Sequence, residues 1–452
     1  MRRDRRGRHA GRRAPGVRPR ELEVAVEALG AGGDGIARDE GVGRLFVPLA
    51  LPGERWRVRT DRQIEGGLAA VPLELVGEGA PRAEPPCPYF GTCGGCRLQH
   101  LPAETYAAFK RDRVVAALAR RGLGDAPVEP VRVAPLRSRR RLRLALVQER
   151  GAVRLGYRRR ASRAVVVPVD VCPIARPELE ALLGPLAAGL GGALAAPLPA
   201  EVALTLTATG VDVVLSAEGR GPTLAEREGL AALADALDLA RVAWAAGEGT
   251  PEPVAERRRP AVRLGGVEVG LPAGAFLQAT EFAEAELAAA VLAWGGEGAP
   301  RDVLDLYAGL GTLGLPLAAA GGLKRLHAAE LDPAATAALR QAAGAAGLPV
   351  TAEARDLARR PFLRAELDRL DLVLVDPPRA GIAPDQTREL AASRVPRIVH
   401  ASCDPGSFAR DARTLADAGH RLVAVRPIDQ FLFSAEVELV AFFERAAVSA
   451  GP

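Results

Sequence analysis

The sequence predicts an α/β protein of several domains, in which a small β-barrel and a β-rich centre precede a doubly wound, mostly parallel sheet. Three observations carry this. The chain has 452 residues, room for about three domains at the usual ~150 residues each. Residues 21–78 alternate apolar and polar with close turns between, as in ELEVAVEAL, GRLFVPLALPGE and LAAVPLELV, which suits a small barrel. From about Gly274 strand-like and helix-like stretches alternate, a pattern that demands right-handed crossovers and a parallel sheet.

Residues 1–18 are rich in Arg, Gly and Pro and have neither an amphipathic period nor the apolar run of a secretory leader, so a disordered basic tail is expected. The barrel is expected over 19–79 and a central domain over 80–270. The centre opens with a cysteine-bearing loop and a helix, ETYAAFKRDRVVAALARRG, and continues with strand-like runs such as RLRLALVQE, AVRLGYRR and EVALTLTATG. Between Arg137 and Arg163 there are eleven Arg and one acidic residue, Glu149. Such a block attracts phosphate, and nucleic acid is the natural partner. No apolar stretch approaches the ~20 residues of a membrane span, so a cytoplasmic protein without membrane association is expected. Five cysteines, an odd number, do not suggest a disulfide framework. Trp56, Trp244 and Trp294, with His327 and His400, read as core or barrel packing.

The last domain, expected over 271–452, carries the chemistry. Its first strand-to-helix turn, DLYAGLGTLG, sets Gly309, Gly311 and Gly314 in a G-x-G-x-x-G pattern, and Glu330 ends the next strand. That order fits either a nicotinamide dinucleotide or S-adenosylmethionine, with the carboxylate on ribose hydroxyls. Asp376-Pro377-Pro378 at the end of a later strand favours the second, because methyltransferases using that cofactor commonly place an acidic or amide residue before Pro-Pro there. One strand later, Cys403 in HASCDPG stands at a strand's carboxyl end, where ligands bind in open α/β sheets. A thiol there has a role if the target is C5 of uracil. That carbon is too weak a nucleophile to attack a methyl sulfonium, but thiolate addition at C6 makes it enolate-like. A base must then take the C5 proton. Glu436 and Glu438, two apart in SAEVELVAFFER, read as one face of a strand, and periodicity does not choose between them.

At this point the sequence resembles the RNA uracil-5-methyltransferases that form 5-methyluridine in bacterial tRNA and 23S rRNA. VEALGAGGDGIA and FVPLALPGE are similar to the family's TRAM barrel, and CPYFGTCGGCRLQHL to its iron-sulfur motif. DLYAGLGTLG, DPPRAG, SCDP and DQFLFSAEVELV match its cofactor, substrate and catalytic segments in order. The resemblance implies a Rossmann-like S-adenosylmethionine methyltransferase domain behind the TRAM barrel, with Cys403 as nucleophile and Glu438 as base. It implies cofactor contacts from Gln278, Tyr307, Gly309, Gly311, Thr312, Glu330 and Asp376, and an RNA substrate whose target uridine is flipped from a loop. The protein is expected to act as a monomer. Three departures bear on substrate fit: Thr280 where the family usually has Asn, Thr312 at another frequent Asn, and Glu436 in place of a His. Cys87, Cys93 and Cys96 stand as C-x5-C-x2-C, and Cys172 follows in VDVCPIA. Their spacing leaves zinc open as an alternative, while the resemblance implies a [4Fe-4S] cluster held by the four. Cytosine C5 methylation in RNA, and RNA binding without catalysis, are the competing functional readings.

Overall fold

The computed structural model describes residues 18–445, apart from 150, 151, 161 and 248; the expected basic tail therefore lies almost wholly outside the described residues. The chain forms two compact units, one up to Glu84 that also takes in His100–Pro102, the other made of Pro85–Gln99 and everything from Ala103 on.

In the first unit, strands β1 (Glu21–Leu29), β2 (Gly35–Asp39), β3 (Gly43–Val47), β4 (Arg55–Ile64) and β5 (Gly67–Val76) close into a barrel in the order β1-β2-β3-β5-β4. The period-2 alternation sends Val24, Val26, Ala37, Leu45, Val47, Val58 and Leu68 into one apolar core. Gly35 is required where β1 turns into β2, because a Cβ there would come 2.8 Å from the Ala50 carbonyl oxygen. Glu54 is fully buried and takes hydrogen bonds from the Leu51 amide, the Trp56 indole and the Arg82 guanidinium, which satisfy its charge inside the barrel wall.

The second unit continues with β6 (Arg132–Val133), β7 (Arg141–Glu149), β8 (Ala152–Arg159), β9 (Ser162–Pro168), β10 (Glu201–Thr207), β11 (Gly210–Ala217), β12 (Arg241–Ala246) and β13 (Glu252–Glu256). All but β6 form one sheet in the order β13-β12-β11-β10-β7-β8-β9, and β14 (Ala261–Leu264) and β15 (Val267–Gly270) make a ribbon. Then come β16 (Asp302–Leu306), β17 (Arg325–Glu330), β18 (Val350–Ala354), β19 (Leu372–Val375), β20 (Arg397–Ser402), β21 (His420–Asp429) and β22 (Glu438–Arg445). Their sheet runs β18-β17-β16-β19-β20-β22-β21-β6, parallel from β18 to β20, with β22 antiparallel to both of its neighbours.

Two pieces of the centre are built into this last sheet. Strand β6 pairs with β21 at its edge. The helix Ala103–Ala119 sends Val114, Ala117 and Leu118 into the core shared with Leu304, Val373, Ile398 and Phe443. On the same helix Lys110 is fully buried, its ammonium 2.7 Å from Asp429 Oδ1 and bonded to the carbonyls of Phe431 and Glu436; the Tyr106 hydroxyl also donates to Asp429. Burial pulls the Lys110 pKa down while the Asp429 charge opposes the shift. The pair fixes the turn that precedes β22. Lys110→Met leaves Asp429 buried without its cation and is expected to destabilise this unit by about 3–5 kcal/mol. A urea midpoint unchanged from the wild type would contradict this.

His400 is fully buried on β20, and burial lowers its pKa to about 3, as expected of a neutral core residue. His327 differs. Its ring lies 2.9 Å from Thr351 Oγ1 and 3.2 Å from Glu353 and packs edge-on against Phe362, with about a third of the side chain exposed. It is a rim residue, not core.

Candidate active site

Strand order brings the chemistry to one edge. The parallel strands β16, β17, β19 and β20 end there, leading into Tyr307 and the glycine loop, Glu330, Asp376 and Cys403 in turn. Because β22 runs the other way, its first residue arrives at the same edge. Ser402 pairs with Leu439, so Cys403 and Glu438 are the next residues in the register.

The glycine loop is shaped by backbone need. Gly309 and Gly311 have φ of +54° and +94°, and a Cβ on Gly311 would meet Leu315 and Leu339 at 2.7 Å. Glu330 braces the loop, accepting the Gly309 amide on one oxygen and the Asp332 amide on the other, both at 2.9 Å. Thr312 is buried in the same loop. Tyr307 holds a left-handed φ of +59°, and its hydroxyl accepts the Ala383 amide at 3.0 Å.

At the other end of the edge, Asp404 caps the helix Pro405–Asp417 by accepting the Ser407 amide at 2.8 Å, and this turn fixes the backbone that carries Cys403. Burial, reinforced by the charges of Glu438 and Asp376, pushes the Cys403 thiol up to about 12, while Arg379 opposes the shift. Burial also raises Asp376 and Glu438, the first further by the Glu330 charge and the second by Asp376. These two carboxyls, Glu438 buried and Asp376 partly buried, disfavour each other's ionisation.

The two candidate bases do not share a strand face, contrary to the reading of the sequence. Strand β22 begins at Glu438, and Glu436 lies in the preceding turn, where it accepts the Arg379 guanidinium at 2.8 Å and is partly exposed. Glu438 is buried and accepts from Gln430 Nε2 at 2.8 Å. Thr280, the departure from Asn, caps the helix Glu281–Ala290 through the Ala283 amide at 3.1 Å.

Sequence reasoning missed Gln430 and Asp305. Gln430 touches both Gln278 and Glu438. Asp305, next to last in β16 beneath the glycine loop, is buried with only the Gly314 amide turned toward it among the described residues, and burial raises its pKa well above the usual range. A signal for Asp305 was available, since an acidic residue inside an apolar strand is out of place. Two members of the Arg block have structural jobs. Arg140 is buried against Glu284 and donates to the Gln278 carbonyl at 3.1 Å, and Arg141 donates to the Leu277 carbonyl, so both support the segment that presents Gln278.

The four other cysteines line one cavity of about 280 Å³, together with Tyr157, Arg139 and Arg143. Burial raises the Cys93, Cys96 and Cys172 thiols, Cys96 to about 12, and neighbouring cysteines add to each shift. Among the described residues no group of three or more His, Cys, Asp or Glu is set to hold a metal ion. No described helix is long and apolar enough to cross a membrane.

The family model described as tRNA (Uracil-5-)-methyltransferase matches residues 273–446, the stretch that holds the whole edge. An RNA methyltransferase of Caulobacter vibrioides, itself uncharacterised, is 42% identical over 94% of this chain and 100% of the relative. The 23S rRNA (uracil(1939)-C(5))-methyltransferase RlmD of Chromohalobacter salexigens is 34% identical over 93% of this chain and 89% of the relative. The chain belongs to the RNA uracil-5-methyltransferase family. Its fold is that of the family: the tRNA (uracil-54, C5)-methyltransferase of Pyrococcus abyssi, solved with S-adenosyl-L-homocysteine, superposes with a TM-score of 0.72 at 22% identity, covering 93% of this chain and 99% of that one. The closed barrel is TRAM-like, and the strands from β16 to β22 lie in the stretch that the family model matches.

Proposed function

We propose that the protein transfers a methyl group from S-adenosylmethionine to C5 of a uridine in 23S rRNA or tRNA through a covalent adduct at Cys403. The observation that carries this reading is the register at the active edge, which brings the Cys403 thiol at the end of β20 beside the buried Glu438 at the start of β22 and near the partly buried Asp376 at the end of β19. Gln278, Tyr307, Gly309, Gly311, Thr312 and Glu330 bind the cofactor around the first loop, and Asp376 stands between cofactor and base. The Cys403 thiol gives up its proton to solvent and the thiolate adds to C6. The C5–C6 π pair moves to C5, which attacks the methyl group, and the sulfonium leaves as the neutral thioether. Glu438 then takes the C5 proton; the C5–H pair restores the C5=C6 bond as the C6–S bond breaks and the thiolate leaves. Cytosine C5 methylation uses the same thiolate logic. Nucleoside mass spectrometry of 23S rRNA and tRNA from a deletion strain, looking for lost 5-methyluridine against lost 5-methylcytidine, tests the assignment.

The target is a loop uridine flipped from its stack, since C6 is otherwise out of reach. For the rest of the RNA, Arg143, Arg158, Arg159 and Arg160 line a cleft of about 460 Å³ with Gly94 and Gly95. Each phosphate contact contributes about 0.7–0.9 to the slope of log affinity against log salt. Arg158→Ala with Arg159→Ala is expected to flatten that slope by about 1–2. An unchanged slope would assign these residues to folding.

The four-cysteine cavity supports a [4Fe-4S] cluster held by Cys87, Cys93, Cys96 and Cys172. Cys172 is buried and the other three thiols are partly buried, all four line one space, and Arg139 and Arg143 there would balance an anionic cluster. When bound it would tie the loop before the first helix to the segment after β9, a structural staple. Protein purified without oxygen should be brown and carry iron and acid-labile sulfide in about equal amounts; zinc without sulfide would contradict this.

A further inference from the structure

The buried amide of Gln430 sits between the two halves of the site. Its Oε1 accepts the Ala279 amide at 2.8 Å, and because a backbone N–H can only donate, this bond fixes which end of the side-chain amide is which. Nε2 therefore carries the two donors. One goes to Gln278 Oε1 at 2.7 Å, the other to Glu438 Oε2 at 2.8 Å. With its oxygen so engaged, Gln278 turns its own Nε2 toward Asp376 Oδ2, at a longer 3.4 Å. Gln278, Gln430 and Glu438 are each at most 3% exposed, so water does not compete for these bonds. Both ends of the array are anchored. Arg140 holds the Gln278 carbonyl, and Asp429, next to Gln430, is gripped by Lys110 and Tyr106.

We infer that Gln430 is a positioning residue for the proton-removal step, an amide relay that holds Glu438 by one oxygen while setting the side chain of Gln278, so that base and cofactor pocket keep a common geometry. The inference rests on the covalent reading of the reaction. Holding Oε2 leaves Oε1 as the oxygen that takes the C5 proton. The donor from Gln430 also favours the ionised form of Glu438, against burial and the Asp376 charge. Both effects bear on the resolution of the methylated adduct, the step that uses the base. Thiolate addition and methyl transfer precede it and do not use the base.

The test uses the full-length protein and an RNA stem-loop containing the target uridine. Gln430→Met is expected to lower kcat by about 10- to 100-fold, as misplacing a reacting group does, with KM for RNA within about threefold. It should raise the steady-state fraction of protein in methylated adduct and move the acid limb of the rate profile to higher pH, because Glu438 loses a donor that stabilises its charge. The double variant with Gln278→Met should be no slower than the slower single one, since the two amides act as a unit. A fall in kcat with no adduct build-up and an unmoved limb, or single effects that multiply in the double variant, would overturn the relay. Gln430→Glu keeps the acceptor for Ala279 and covers the case in which the Met variant does not fold; it should move the limb further the same way, and an unmoved limb again overturns the proposal. Trapping of the wild type on 5-fluorouridine RNA is measured alongside. If the wild type itself gives no adduct, the covalent reading is at fault, and the relay falls with it.

Discussion

Cys403→Ala is expected to form no methylated uridine and no covalent complex, a fall in turnover on the order of 10⁴-fold or more, as when a covalent nucleophile is removed. Binding of S-adenosylmethionine and of RNA should survive, because the glycine loop, Glu330 and the Arg-lined cleft are untouched. The thiol stands in the turn fixed by Asp404, and alanine at that position leaves the cap in place. The resting thiol is held protonated, up to about 12, by burial and by the Glu438 and Asp376 charges. Adduct formation by the wild type should therefore quicken with pH across the neutral range, as the thiolate fraction grows. Residual methylation by Cys403→Ala would show that the thiol is a core residue and not the nucleophile, and an adduct rate that has levelled off below neutrality would show that the resting thiol is not held protonated.

Glu438→Gln should fail differently. It retains the thiol and the methyl-transfer geometry, so it should add to the uridine and methylate it, then stall because no base takes the C5 proton. Turnover is expected to drop by about 10²–10⁴-fold, the usual range for a general base. A protein–RNA complex that survives denaturation and already carries the methyl group should accumulate. Glu436→Gln is the control. Glu436 is paired with Arg379 outside the strand, and its loss should leave the adduct level near that of the wild type. Stalling by Glu436→Gln with normal turnover by Glu438→Gln would exchange the two assignments.

The parts of this site visible in the sequence are those whose local backbone demands a residue type. Gly309 and Gly311 are needed at positive φ, Cys403 ends an apolar run, and Asp376 precedes two prolines. Each can be read from its neighbours. The choice between Glu436 and Glu438 was not legible, because it depends on where β22 begins, and pairing with β20 and β21 decides that. Gln430 was invisible for a related reason: its partners Gln278 and Glu438 come from different segments, and a Gln beside an Asp at a strand end carries no signal of its own. Lys110 carries no sequence signal of burial, and it is buried because Asp429, far along the chain, supplies its countercharge. Strand β6 is too short for a period-2 pattern to register, so the built-in edge of the last sheet was read as part of the centre. The Arg block misled in part, since charge density alone does not separate a phosphate contact from Arg140 and Arg141, which hold up the Gln278 segment.

Peptide mass spectrometry on the trapped complex tests the central claim most directly. Wild-type protein is incubated with S-adenosylmethionine and RNA carrying 5-fluorouridine at the target, then digested with protease and nuclease. Fluorine cannot leave as a cation, so the reaction should stop after methyl transfer. The account predicts a single modified peptide in which Cys403 carries a 5-fluoro-5-methyl nucleotide bonded through C6. Modification of another cysteine, or methylated RNA recovered free with no protein adduct, would contradict it.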